Sequence, residues 1–248
     1  STWHQLATID LRIGDYEAAR EKFETAMKIR QQIGDQAGEA STWHQLATID
    51  LRIGDYEAAR EKFEKSIKIM QQIGNRAGEA STWHQLATID LNNGDYEAAR
   101  EKFETAMKIR QQIGDQAGEA STWHQLATID LRIGDYEAAR EKFDKSMKIR
   151  QQIGDRAGEA ATFSQLGVVA WENDKSRDAV RLIALGYQIF ASISHSNAKV
   201  TFENLCAAAS QLSLSQEQFD SLQKEVVESY SKDRGQSLLA AAFPKARP

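Results

Sequence analysis

The chain has 248 residues, of which 41 % are hydrophobic and 27 % charged, with a formal net charge of -5. That balance is ordinary for a folded protein. It lacks the basic excess of a nucleic-acid footprint, and acidic and basic residues are interleaved as on a solvated surface. A lone cysteine, Cys206, excludes a disulfide framework and favours a reducing, cytoplasmic setting. No apolar run approaches the roughly 18 residues of a membrane span.

Internal repetition dominates the sequence. Residues 1–40 recur as 41–80, 81–120 and 121–160, and the later copies differ from the first at six, two and four of 40 positions. Residues 161–200 form a diverged fifth copy. The remaining 201–248 read as a sixth half-repeat with a one-residue deletion, followed by capping helices and a fraying tail from Pro244 to Pro248.

Each copy predicts two helices. Gly14-Asp15 and Gly34-Asp35 divide the repeat into nearly equal halves. A glycine just past a helix end can take the left-handed conformation that closes it. The aspartate after it accepts hydrogen bonds from the free N–H groups of the next helix. No proline interrupts the helices before Pro244, so each extends about 27 Å at 1.5 Å per residue. On the first helix Trp3, Leu6 and Ala7 recur at helical spacing, widened by Ile9 and Ile13. On the second, Tyr16, Ala19, Phe23, Ala26 and Ile33 do so.

Variation between copies reports on packing. Positions 7, 19 and 26 hold only small residues, ending in Gly167, Ala179 and Gly186 of the fifth copy; Cys206 occupies the first of these places in the sixth. Trp3, Trp43, Trp83 and Trp123 give way to Phe163 and Phe202, so a ring is kept. Rings facing small residues predict close helix–helix seams with the rings buried in them, and Cys206 is expected to be buried and inert.

The residues Trp3, Leu6, Ala7, Gly14, Tyr16, Ala19, Phe23 and Ala26 resemble the tetratricopeptide signature. Three features depart from it: a period of 40, Gln31 near the place of the closing proline, and Asp10 where the family has an aromatic residue. The 40-residue form resembles arrays of bacterial signal-transduction NTPases and of kinesin light chains. The resemblance implies an all-α, right-handed superhelical solenoid of antiparallel helix pairs, and a protein- or peptide-binding scaffold or sensor array within a larger signalling protein. It also implies a concave groove lined by the first helices, and hence by His44, Thr48, Arg52, His84, Thr88, Asn92, His124, Thr128 and Arg132, after His4, Thr8 and Arg12 of the first copy. Arginine rows suit carboxylate or phosphate recognition; the bland alternative is that these side chains are merely solvated. The family's carboxylate clamp uses lysine and asparagine at the His4 and Thr8 places, and this chain has neither.

The ladder of His4, His44, His84 and His124 suggests a metal site only at first sight. Matching helices of neighbouring repeats lie roughly 10 Å apart, too far for shared zinc ligands, whose bonds are about 2 Å. Solvated groove lining is the expectation for these rings. Asp10, Asp50, Asp90 and Asp130 fall on the inward stripe and need buried partners, with Arg20, a tyrosine hydroxyl or a neighbouring indole N–H as candidates. No nucleophile–base pair, phosphate-cradling loop or metal spacing is present, so neither catalysis nor a cofactor is expected. Ser1 opens directly on an ordinary repeat, which predicts an uncapped apolar N-terminal face, self-association through it, and a longer parent chain. The alternative function is a spacer or self-association module without a dedicated ligand.

Overall fold

A computed structural model describes residues 2–244; the tail expected to fray lies outside them from 245 onward. The described residues form thirteen helices and no strand. In chain order these are α1 (Thr2–Ile13), α2 (Tyr16–Gln32), α3 (Gln36–Ile53), α4 (Tyr56–Gln72), α5 (Arg76–Asn92), α6 (Tyr96–Ile113), α7 (Gln116–Ile133), α8 (Tyr136–Ile153), α9 (Arg156–Glu172), α10 (Ser176–Ser192), α11 (Asn197–Gln211), α12 (Gln216–Asp233) and α13 (Gln236–Ala242). The glycine–aspartate pairs do what the sequence requires of them. Gly54 has φ +87°, and the Asp55 carboxylate accepts a hydrogen bond from the Ala58 N–H at 3.1 Å. Two compact units divide the chain, the first ending at Gly118 and the second beginning at Glu119.

In the first unit α1 through α6 pack as consecutive helix pairs. Phe23, Phe63 and Phe103 are wholly buried against small residues, among them Ala19, Ala59 and Ala99. Truncating such a ring to alanine costs about 3–5 kcal/mol. Ser66, at a place where two other copies have alanine, donates to the Ala40 carbonyl at 2.8 Å, so its hydroxyl is satisfied inside the seam. The tryptophans are less buried than the sequence suggests. Trp43 and Trp83 are only half-buried, and the Lys65 ammonium lies 4.8 Å from the centre of the Trp43 ring. The isoleucines at the helix ends leave the apolar stripe as well: Ile13, Ile33 and Ile53 are exposed beside their closing glycines. Trp3 and Leu6 of α1 are 44 % and 43 % exposed, whereas Leu46, the same residue one copy later, is 3 % exposed beneath α2.

The second unit holds the largest core. In the fifth copy α9 and α10 approach more closely than a side chain would allow. A Cβ on Gly186 would lie 2.3 Å from Ser164 Oγ and 2.8 Å from the Ala160 carbonyl oxygen. Ser215 opens α12 with a reciprocal capping box to Gln218, and Arg234 and Gly235 close it, both at positive φ. α12 and α13 lie on α10. Their anchor is Glu159, whose fully buried carboxylate is met by Arg234 at 2.9 Å and by the Tyr230 hydroxyl at 3.0 Å. The Phe243 ring ends the cap under the Arg140 guanidinium, 5.0 Å away.

Cys206 is exposed, contrary to the burial expected from its place in the repeat. In the fifth copy the matching Gly167 faces Ala179 and Ile183 of its own second helix. In the sixth, α12 lies on α10, and the face of α11 carrying Phe202 and Cys206 stays open to solvent.

Candidate functional site

The first helices present a polar face whose parts have different environments. His44 on α3, His84 on α5 and His124 on α7 are half-buried rather than freely solvated. Each ring stands edge-on to the phenylalanine of the following helix, with centroids 5.1, 4.9 and 5.0 Å apart for Phe63, Phe103 and Phe143. Burial lowers the His44 pKa to about 4. Burial together with the nearby guanidinium of Arg110 or Arg150 lowers those of His84 and His124 to about 3. The rings are therefore neutral near pH 7. Arg110 lies 3.2 Å from His84 Nδ1, so this nitrogen accepts from the guanidinium. Thr48, Thr88 and Thr128 each donate to the carbonyl one turn back on their own helix, at 2.9 Å. Arg52, Asn92 and Arg132 close the rows and are exposed. Among the described residues Arg52 and Arg132 have no ion-pair partner, so their guanidinium groups face solvent.

The inward aspartates are structural clamps. Asp50 is 1 % exposed. One of its oxygens accepts from Arg20 of the preceding copy at 2.6 Å, and the other lies 2.6 Å from Lys62 of its own copy. Asp90 is held identically, by Arg60 and Lys102 at 2.6 Å each. Asp10 pairs with Lys22 and Asp130 with Lys142. Each carboxylate thus has the opposite charges that a buried ion requires. The sequence pointed to Arg20 and missed the lysine. The signal was available in the fifth copy, where Ala170 and Leu182 replace the aspartate and the lysine together, both fully buried.

A second network was missed altogether. Arg30 donates to the Gly38 carbonyl at 2.6 Å and to Thr42 Oγ1, lies 3.2 Å from His4 Nδ1 and 3.8 Å from the Asp35 carboxylate. Arg110 and Arg150 repeat the bond to the carbonyl of Gly118 and Gly158 and the approach to Asp115 and Asp155. The second copy breaks the pattern with Met70 and Asn75, and there His44 Nδ1 lies 3.1 Å from Thr82 Oγ1 instead. Among the described residues no group of three or more metal-ligating side chains could hold a metal ion.

A model of the tetratricopeptide repeat family matches residues 1–72, 78–151 and 118–192. No curated protein matches the chain. Several solved structures share its fold. One is a signal-transduction ATPase with numerous domains and a tetratricopeptide repeat sensor from Pyrococcus horikoshii, with 17 % identity and a TM-score of 0.70 over 97 % of this chain and 37 % of that one. Another is a variant of a kinesin light chain from P. anserina with nearly identical repeats, at 19 % identity and a TM-score of 0.61 over 78 % and 95 % of the two chains. A Rap protein complexed with Competence and Sporulation Factor aligns at 15 % identity and a TM-score of 0.62, over 85 % and 64 %. The resemblance read from the tryptophan, glycine and tyrosine spacing is thus borne out. This chain spans little more than a third of the ATPase.

Proposed function

Because this chain belongs to the tetratricopeptide repeat family, we propose that it is a non-enzymatic array that holds a protein or peptide on the face of its first helices. The rows His44–Thr48–Arg52, His84–Thr88–Asn92 and His124–Thr128–Arg132 would make the contacts. The observation that carries this reading is the exposure of Arg52 and Arg132 beside a half-buried, neutral histidine ladder. A guanidinium in solvent offers a planar two-pronged donor to carboxylates, so an acidic extended peptide is the matching partner. The Rap protein solved with Competence and Sporulation Factor supports a partner-holding role, and the ATPase sensor supports service within a larger signalling protein.

The test is binding of a tiled set of acidic and basic fluorescent peptides to the wild-type chain and to R52E/R132E. Acidic peptides should bind the wild type and lose at least tenfold in affinity in the variant, with unchanged thermal unfolding. Equal binding by both proteins would remove the arginine rows from the site.

A second reading, self-association, is favoured by the open apolar face of α1 with Trp3, Leu6 and Ile9. A strict monomer at high concentration in analytical ultracentrifugation would dismiss it.

A further inference from the structure

The near-identity of the copies makes a paired chemical exception among them informative. In the first and third copies the place beside the end of the second helix and the turn that follows it is filled by the chain's own guanidinium. Arg30 and Arg110 lie there, each within 3.8 Å of an aspartate. In the second copy both charges are absent: Met70 takes the arginine's place and Asn75 the aspartate's. A hollow of about 300 Å³ opens there, lined by Ser41, His44 and Gln45 of α3, by Met70, by Asn75 before α5, and by Gly78 and Ser81 on it. All of it lies within the first unit.

We propose that this hollow is a selectivity site that receives one uncharged aliphatic side chain of the bound peptide. The inference rests on the first-helix face being the partner surface. Its volume sits at the lower end of ligand-binding cavities, enough for a side chain with its flanking backbone. The floor is the buried Met70 thioether, whose flexible chain and polarisable sulfur adapt to aliphatic groups. The Ser41 hydroxyl and the Gln45 amide supply polar groups for the peptide backbone around it. The His44 ring is neutral near pH 7. A charged side chain seated here would lose water with no opposite charge to meet, because the carboxylate of the sibling copies has become an amide. The nearby carboxylate of Glu79 is already engaged by Arg76 and Gln71. The second copy therefore offers the partner both the exposed Arg52 guanidinium and an uncharged socket.

The experiment uses the chain labelled at methionine methyl groups and at the histidine Cε1 position, followed by NMR. The probes are N-acetyl-leucine methylamide and the matching arginine and glutamate methylamides. The leucine probe should shift the Met70 methyl and His44 Cε1 resonances saturably, with a Kd of about 1–10 mM for so small a ligand. Met27, Met107 and Met147 should stay still, and the charged probes should bind at least tenfold more weakly. M70R/N75D, which restores the residues of the sibling copies and so keeps the fold, should abolish the His44 shift. Equal response to the charged probes, a His44 shift that survives in M70R/N75D, or no Met70 shift with the leucine probe overturns the proposal. R52E/R132E leaves this hollow untouched, so its failure to affect peptides would fall on the arginine rows alone.

Discussion

Arg60 on α4 donates to the buried carboxylate of Asp90 on α5 at 2.6 Å, so the second copy completes the polar core of the third. Lys102 reaches the other carboxylate oxygen from α6 at the same distance. Removing the anion leaves two cations facing each other across a tight seam. Asp90→Ala should therefore destabilise the first unit by about 2–4 kcal/mol, below the full cost of breaking a buried pair because Arg60 and Lys102 are partly exposed. The fifth copy shows the apolar solution with Ala170 and Leu182. D90A/K102L should consequently recover part of the loss in chemical denaturation; a double variant less stable than D90A would contradict this account.

Acid should weaken the fold through the histidine ladder. The folded-state pKa values lie below the ordinary 6.5, at about 4 for His44 and about 3 for His84 and His124. The unfolded chain thus takes up protons first as pH falls. The contribution of each ring is complete above pH 6.5 and declines between there and its folded pKa, by up to about 1.4 kcal/mol per pH unit. The melting temperature should drop between pH 7.5 and pH 5, and the drop should shrink in H84N/H124N. An unchanged pH profile in that variant would place the effect elsewhere.

Gly186→Ala should destabilise the second unit by about 1–3 kcal/mol, the usual cost of overpacking. Four sibling positions hold alanine or serine without strain, yet here the added Cβ would meet Ser164 Oγ and the Ala160 carbonyl. Thermal unfolding of the variant decides the matter, and a neutral result would mean that α9 and α10 can separate freely.

The cap depends on Glu159. Arg234→Ala leaves its buried carboxylate without the guanidinium, a loss of about 1.5–3 kcal/mol for a charged hydrogen bond. Limited proteolysis should then cut within α12 and α13 at enzyme levels that spare the wild type.

Cys206 should react with a maleimide or an aromatic disulfide in the native state within minutes, one thiol per chain. Reaction only after denaturant would restore the burial inferred from its place in the repeat.

Helix positions were legible because their signals are local. Gly54 and Asp55 stop one helix and start the next whatever surrounds them, and the Phe63 ring follows the helical stripe. The inward placement of Asp50 was legible for the same reason, and Arg20 was within reach as a partner. What escaped reading depends on distance in three dimensions. Arg30 reaches the Gly38 carbonyl and the His4 ring at once, and no helical spacing in the sequence couples those residues. The half-burial of His44 comes from Phe63, on the following helix. The exposure of Cys206 follows from α12 lying on α10, a tertiary choice made far from the cysteine.

The Arg20–Asp50 and Arg60–Asp90 pairs also bear on how such a chain can change length. Deleting residues 41–80 in frame would bring Arg20 against Asp90, with the same donor and acceptor and an unchanged sequence from Ser1 through Leu91 apart from the missing copy. The junction left behind is chemically one the fold already contains, so the first four copies are interchangeable bricks, whereas a deletion ending out of step with the 40-residue period between Arg20 and Asp90 would separate that arginine from its carboxylate.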